Sequence, residues 1–241
     1  MARSFRDAGH LPNLREGGQP GSPDDLPRQR RGITPQMHGR YPDYDVLEHA
    51  REWDDVTRAV VLDRVENVPV LQFFTGPEAR TLGALCDEVT AQDREPRIPV
   101  LAMIDAKLHA AQLDGFRFAD LPEDPETWRR AARGLDEAAR GSFADLAPPE
   151  RRHLVGRFAD GGLTGPVWDE LPCSRAWSVV TRHILAAYYS HPWSWNEIGY
   201  GGPRYPRGYM RLGEGQREPD QAPEAYELDP VADEDRHEGP A

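Results

Sequence analysis

Between His191 and Gly213 the chain reads HPWSWNEIGYGGPRYPRGYMRLG. Five aromatics (Trp193, Trp195, Tyr200, Tyr205, Tyr209), five glycines, three prolines and three arginines share these residues with one carboxylate, Glu197. Pro192, Pro203 and Pro206 exclude a long helix, because proline lacks the amide donor and clashes with the preceding turn. The glycines permit tight turns and close backbone approach. Such a segment cannot build a core of its own, yet its aromatic surface is costly to leave wet. It must therefore lie against something. Two readings stay open: a strap packed only on its own chain, or a strap that also meets a partner, since Trp, Tyr and Arg dominate interface hot spots.

Composition narrows what the strap can lie against. The chain has 241 residues with a mean hydropathy of −0.72 and only 38% apolar residues, which suits a folded middle flanked by segments that bury little. The net charge of −12 is concentrated at the end. From Glu214 to Ala241, ten carboxylates face Arg217 and Arg236, a local net of −8. That balance is the reverse of a nucleic-acid footprint. No run approaches the roughly 18 apolar residues of a membrane span. Arg30-Arg31 lacks the apolar stretch that would follow in an export signal, so a cytoplasmic location is expected. Cys86 and Cys173 sit in no CxxC or Cys/His cluster and read as small buried side chains, although one bridge between them stays open.

The middle of the chain carries helical periodicity. Residues 1–44 show no apolar period and read as an arm that only a partner surface would order. Asp45-x-x-Glu48 has capping-box spacing, and Leu47, Ala50, Trp53, Val56, Val60 and Val61 are expected along one face of the helix that follows. Thr75-x-x-Glu78 is a second capping box, ahead of Leu82, Leu85, Cys86 and Val89. Pro99 opens a helix with Leu101, Ile104, Leu108 and Ala111. Asp124-Pro125 starts another with Trp128, Ala132, Leu135 and Ala139 inward. Pro148-Pro149-Glu150 begins one carrying Leu154, Val155 and Phe158, stopped by Gly161-Gly162. A last helix is expected from Ser174 to Tyr189, with Trp177, Val180, Ile184, Leu185 and Tyr188 inward and Pro192 beyond its end. The fold class expected is all-α: an arm over 1–44, a helical domain over 45–190, a Gly/Pro/aromatic strap over 191–213 and an acidic tail over 214–241.

No active site declares itself. Gly199-Tyr-Gly-Gly202 follows a helix and precedes prolines, which is the wrong context for a nucleotide-binding turn. His183 and His191 lack a third metal partner. His191, Asp105 and Glu197 could serve as acid or base in a freestanding enzyme acting on a carbohydrate, which is one alternative.

The run from Ala187 to Tyr209 closely resembles the C-terminal hallmark of the gluconate 2-dehydrogenase subunit 3 family. Phe73-Phe74-Thr75, Leu82 to Val89, Ile104-Asp105 and Leu108 resemble that family's opening helices, so the likeness extends over about 53–213. The resemblance implies an all-α small subunit with no redox cofactor and no catalytic residue of its own. It also implies a large partner of the glucose–methanol–choline oxidoreductase type that binds FAD and oxidises a sugar, sugar acid or glycoside, the C3 hydroxyl of a glycoside included. The partner-binding residues it implies are Tyr188, Tyr189, His191, Pro192, Trp193, Trp195, Asn196, Glu197, Gly199, Tyr200, Gly201, Gly202, Pro203, Arg204, Tyr205, Pro206, Arg207, Gly208 and Tyr209. Asn196 is expected to hold exposed backbone groups, and Arg207 to pair with Glu197 or with a partner carboxylate. A transient folding chaperone for the flavoprotein is the second alternative. Exported relatives carry a twin-arginine signal; this chain has the polar arm instead, which is the pattern expected of a cytoplasmic branch.

Overall fold

Capping signals in the sequence become the starts of helices in the computed structural model, which describes residues 44–93, 95–112, 115, 118–205, 208 and 222. The regular elements among those residues are all helices, with no strand. A 3-10 helix, Val46–Glu52, is followed by α1 (Asp55–Glu66), α2 (Gly76–Val89), α3 (Val100–His109) and α4 (Asp124–Ala139). After a short 3-10 turn, Phe143–Asp145, come α5 (Pro148–Ala159), α6 (Pro166–Glu170), α7 (Cys173–Ser190) and α8 (Pro192–Ile198). The contacts divide the chain into two units. One is drawn from Met1–Asn67, Arg94–Ile98 and Tyr189–Ala241, the other from Val68–Asp93 and Pro99–Tyr188.

The second unit is organised around α2, which packs on α3, α4, α5 and the 3-10 turn, while α4 also packs on α6. Thr75 opens α2 as its spacing predicts: its amide donates to Glu78 Oε2 at 2.9 Å and its hydroxyl to the same oxygen at 2.8 Å. Leu82, Leu85, Trp128, Leu135, Phe143, Phe158, Leu171 and Ile184 are all fully buried. Burial of side chains this size removes enough apolar surface to be worth about 2 kcal/mol each. Asp136 ties three elements together, since its Oδ1 accepts from the Thr81 hydroxyl at 2.7 Å and from the Phe143 amide at 2.9 Å. At Gly134 the indole of Trp168 lies close against the α4 backbone and donates from Nε1 to the Gly134 carbonyl at 3.1 Å. A Cβ there would sit 2.5 Å from the ring, so only glycine fits. The sequence reading missed α6, whose five residues are too few to show a period.

The first unit departs from the single helix expected after Asp45. The 3-10 helix ends at Trp53, whose backbone is extended (φ −82°, ψ 151°), and α1 starts afresh with Asp54 as its cap. Asp54 Oδ1 accepts from the Thr57 amide at 2.9 Å, and the hydrogen bonds with Thr57 hold its carboxyl below the usual range. This restart rotates α1 relative to the expected stripe. Leu47, Ala50, Trp53 and Val61 are buried as expected, but Val56 and Val60 are 71% and 51% exposed. A second aspartate cap, two residues before Val56, was the signal for the break.

Candidate functional site

The aromatic strap begins as a helix. Pro192 occupies the first turn of α8, where its fixed φ suits the helix and its missing amide costs nothing. His191 is the cap: its Nδ1 accepts from the Trp193 amide at 3.2 Å. Gly199 ends α8 in the left-handed region (φ 67°, ψ 22°), and the Tyr200 amide returns to the Trp195 carbonyl at 2.9 Å.

α8 packs on the 3-10 helix Val46–Glu52 and on α1, and polar bonds fix the first of these contacts. Asn196 Oδ1 accepts from the Val46 amide at 2.8 Å, and Asn196 Nδ2 donates to Asp45 Oδ1 at 3.1 Å. The same Asp45 oxygen accepts from the Leu47 amide at 3.2 Å. Asn196 therefore holds backbone at the open end of a helix of its own chain. Tyr44 donates its hydroxyl hydrogen to the Tyr200 carbonyl at 3.2 Å. At the far end, Arg64 of α1 donates to the Ser190 carbonyl at 2.5 Å, satisfying one of the acceptors left open where α7 stops.

Side chains close the arrangement. Trp193 stands edge-on to His191 at 4.9 Å, and Trp195 edge-on to Tyr200 at 5.5 Å. Trp195 Nε1 donates to the Tyr189 carbonyl at 2.6 Å. Gly202, with φ +75°, lies so close to the 3-10 helix that a Cβ would come within 2.8 Å of Trp53 and 3.0 Å of Val46. His191 is 1% exposed. Burial pushes its imidazole down to about 4, with a hydrogen bond to the Arg64 backbone opposing and the Arg64 charge adding to the shift. With Nδ1 occupied as an acceptor, the proton of the neutral ring belongs on Nε2.

The residues assigned to a partner interface thus fall into three groups. Tyr188, His191, Pro192, Trp193, Trp195, Asn196, Glu197, Gly201, Gly202 and Arg204 are buried within the chain, and Gly199, Tyr200 and Pro203 are half-buried. Tyr189 and Tyr205 are 46% and 65% exposed, and Gly208 is also exposed. Pro206, Arg207 and Tyr209 lie outside the described residues, and with them the expected Arg207–Glu197 pair. Sequence reasoning missed Asp45, Val46 and Trp53 as the motif's counterpart, and Ile198, 42% exposed, as part of its surface.

Two further polar groups had been candidates for chemistry. Asp105, fully buried on α3, accepts from three successive amides: Gln72 at 2.7 Å, Phe73 at 3.1 Å and Phe74 at 2.9 Å. It acts as the anion in a backbone nest. His183 Nδ1 accepts from Trp128 Nε1 at 3.0 Å, while its Nε2 faces Asp124 Oδ2 at 3.5 Å, all three side chains being buried. Among the described residues no group of three or more His, Cys, Asp or Glu side chains could hold a metal ion, and no helix is long and apolar enough to cross a membrane. Cys86 and Cys173 are free, buried thiols, and burial pushes both up from the ordinary range.

No characterised protein and no solved structure matches the chain. A family model described as gluconate 2-dehydrogenase subunit 3 matches residues 77–202, just over half of the chain. The match starts in the first turn of α2 and runs to Gly202, the glycine packed on Trp53. The chain belongs to the gluconate 2-dehydrogenase subunit 3 family.

Proposed function

We propose that this chain is the non-catalytic small subunit of an FAD-dependent dehydrogenase, which it binds and stabilises or matures. The observation that carries the reading is the family match over 77–202, a family named for a dehydrogenase subunit. The partner proposed is a large oxidoreductase of the glucose–methanol–choline type, holding FAD and oxidising a CH–OH group of a sugar, sugar acid or glycoside. Oxidation at C3 of a glycoside in the cytoplasm is the specific form proposed.

The internal chemistry favours this reading over a freestanding carbohydrate enzyme. Asp105 spends its carboxylate on three amides, and His191 has one ring nitrogen on the Trp193 amide and a hydrogen bond to the Arg64 backbone. A general base needs a lone pair within reach of substrate; these lone pairs are occupied. What the end of α7, α8 and the following turn offer outward are the apolar and aromatic side chains of Tyr189, Ile198 and Tyr205.

Co-expression with a flavoprotein of the glucose–methanol–choline type from the same genome tests the proposal. A stable complex that reduces dye with a sugar or glycoside, while this chain alone reduces none, is the expected outcome. Turnover by the isolated chain, or no association with that flavoprotein, overturns it. A flavoprotein that keeps its FAD and activity after this chain has left would assign the chaperone role instead of the subunit role.

A further inference from the structure

We propose that Val68–Leu71 docks on the large dehydrogenase subunit as an added strand, pairing its backbone with an exposed sheet edge there; the identity of that partner rests on the function proposed above. The segment lies in an eleven-residue run, 67–77, that carries no charge, in a chain where 29% of residues are charged. Val68, Val70 and Leu71 are exposed and Pro69 is half-buried. No other four successive described residues expose three large apolar side chains.

Backbone chemistry selects the occupant. The chain enters the segment extended at Asn67 (φ −119°, ψ 96°) and runs to Gln72 without turn or bend. Among the described residues nothing bonds to the amides of Val68, Val70 and Leu71, or to the carbonyls of residues 68–71. An apolar helix laid over this segment would cover its side chains but leave those groups dry and unbonded. A sheet edge satisfies both, and valine suits the pleated surface it makes.

Gln72 shows which edge is open. Successive residues of a strand turn their N–H and C=O groups to opposite edges, so Val68, Val70 and Gln72 share one edge, Pro69 and Leu71 the other. The Gln72 amide donates to Asp105 Oδ1 at 2.7 Å, within the unit to which the segment belongs, and this turns the first edge toward α3. The second edge looks away and offers the Leu71 amide with the carbonyls of Pro69 and Leu71. Pro69 stands at its head, where a strand tolerates a missing donor. Asp105 also holds the Phe73 and Phe74 amides, so the C-terminal end of the segment is fixed before any partner arrives. That lowers the ordering cost of docking. The segment lies before the family match, which begins at residue 77, so the proposed contact is separate from the hallmark motif.

Amide hydrogen exchange and titration of the full chain with the co-expressed flavoprotein test the proposal. In the complex the Leu71 amide should exchange at least about 10-fold more slowly than in the free chain, while the Val70 amide stays fast. Leu71→Pro removes the outward donor and should raise Kd about 10-fold, the scale of one main-chain bond left unmade. Val70→Pro, whose donor lies on the Asp105 edge, and Leu71→Val, which keeps the donor, should stay within about 3-fold. Helical circular dichroism should be the same for all three. The exchange measurement uses the native chain, so it decides even where Leu71→Pro fails to fold. Equal losses for the two proline variants, or a complex in which Leu71 exchanges as fast as in the free chain, overturn the added strand and leave the subunit reading standing. Slow exchange at Leu71 in the free chain also overturns it, in favour of a second copy where the slowing grows with concentration. Failure of the native chain to bind the flavoprotein overturns both.

Discussion

Asn196 accepts the Val46 amide at 2.8 Å across 150 residues of sequence, and through the same side chain donates to Asp45. One amide group therefore serves both the Val46 amide and the capping carboxylate of Asp45, which itself takes the Leu47 amide. Asn196→Ala should lower stability by about 1–3 kcal/mol, the cost of leaving buried polar groups unpaired. Asn196→Asp should cost at least as much, because a carboxylate would then face Asp45. Urea midpoints of the two variants check this; an unchanged midpoint for either would show that the bond adds nothing.

Gly202 should not tolerate even a methyl group. Gly202→Ala combines a left-handed φ of +75° with a contact of 2.8 Å to Trp53. A loss of about 2–4 kcal/mol is expected from strain and overpacking together. Gly76→Ala, where a Cβ meets nothing within 4 Å, is the control and should be close to neutral. Thermal unfolding of the pair measures the difference.

The buried imidazole predicts a pH dependence. His191 has a folded value of about 4 against an ordinary 6.5, so the unfolded chain binds the extra proton first. Stability from this group is complete above pH 6.5 and declines as pH falls toward 4, by about 3 kcal/mol in all. His191→Asn keeps an oxygen for the Trp193 amide but cannot titrate, so it should flatten that part of the curve. Urea denaturation between pH 4 and 7 provides the comparison, and parallel curves for the two proteins would rule the assignment out.

Within the hallmark motif, burial separates two kinds of residue. Trp193 and Trp195 are 9% and 6% exposed, so their replacement by alanine should act through folding, by about 3–5 kcal/mol. Tyr189→Ala and Tyr205→Ala should leave stability within about 0.5 kcal/mol, yet weaken assembly with the large subunit. Unfolding curves beside pull-down titrations distinguish these outcomes.

Asp105 offers a test of chemistry against architecture. Asp105→Asn keeps one acceptor but turns an amide donor toward the Gln72–Phe74 nest, and should cost about 1–3 kcal/mol. Turnover per assembled complex should be unchanged at a temperature where the variant is folded. A large loss of turnover with unchanged unfolding would instead make Asp105 a catalytic group.

Local signals in this chain were legible because their causes are local. Thr75 and Glu78 are three residues apart and bond each other, so the start of α2 can be read from spacing. The inward positions Leu82, Leu85, Trp128, Leu135 and Ile184 follow from helical period for the same reason. The misplacement of Val56 and Val60 came from one overlooked cap, Asp54, which resets the phase of every side chain after it. The site was legible as a composition but not as a geometry. Its makeup showed that 191–213 must lie against something; that Asn196 would meet Val46, and Gly202 would meet Trp53, depends on chain returning from far away. No spacing rule carries that information.

The same return fixes an order of events during synthesis. Val46 leaves the ribosome long before Asn196 is made, and at about 5–20 residues per second the intervening stretch takes about 8 to 30 s. Throughout that interval the start of the 3-10 helix lacks its acceptor and Trp53 lacks the glycine it packs on. Completion of the first unit is therefore timed by the last part of the motif to emerge, and a nascent chain stopped before Gly202 presents Val46 and Trp53 uncovered to whatever quality control surveys it.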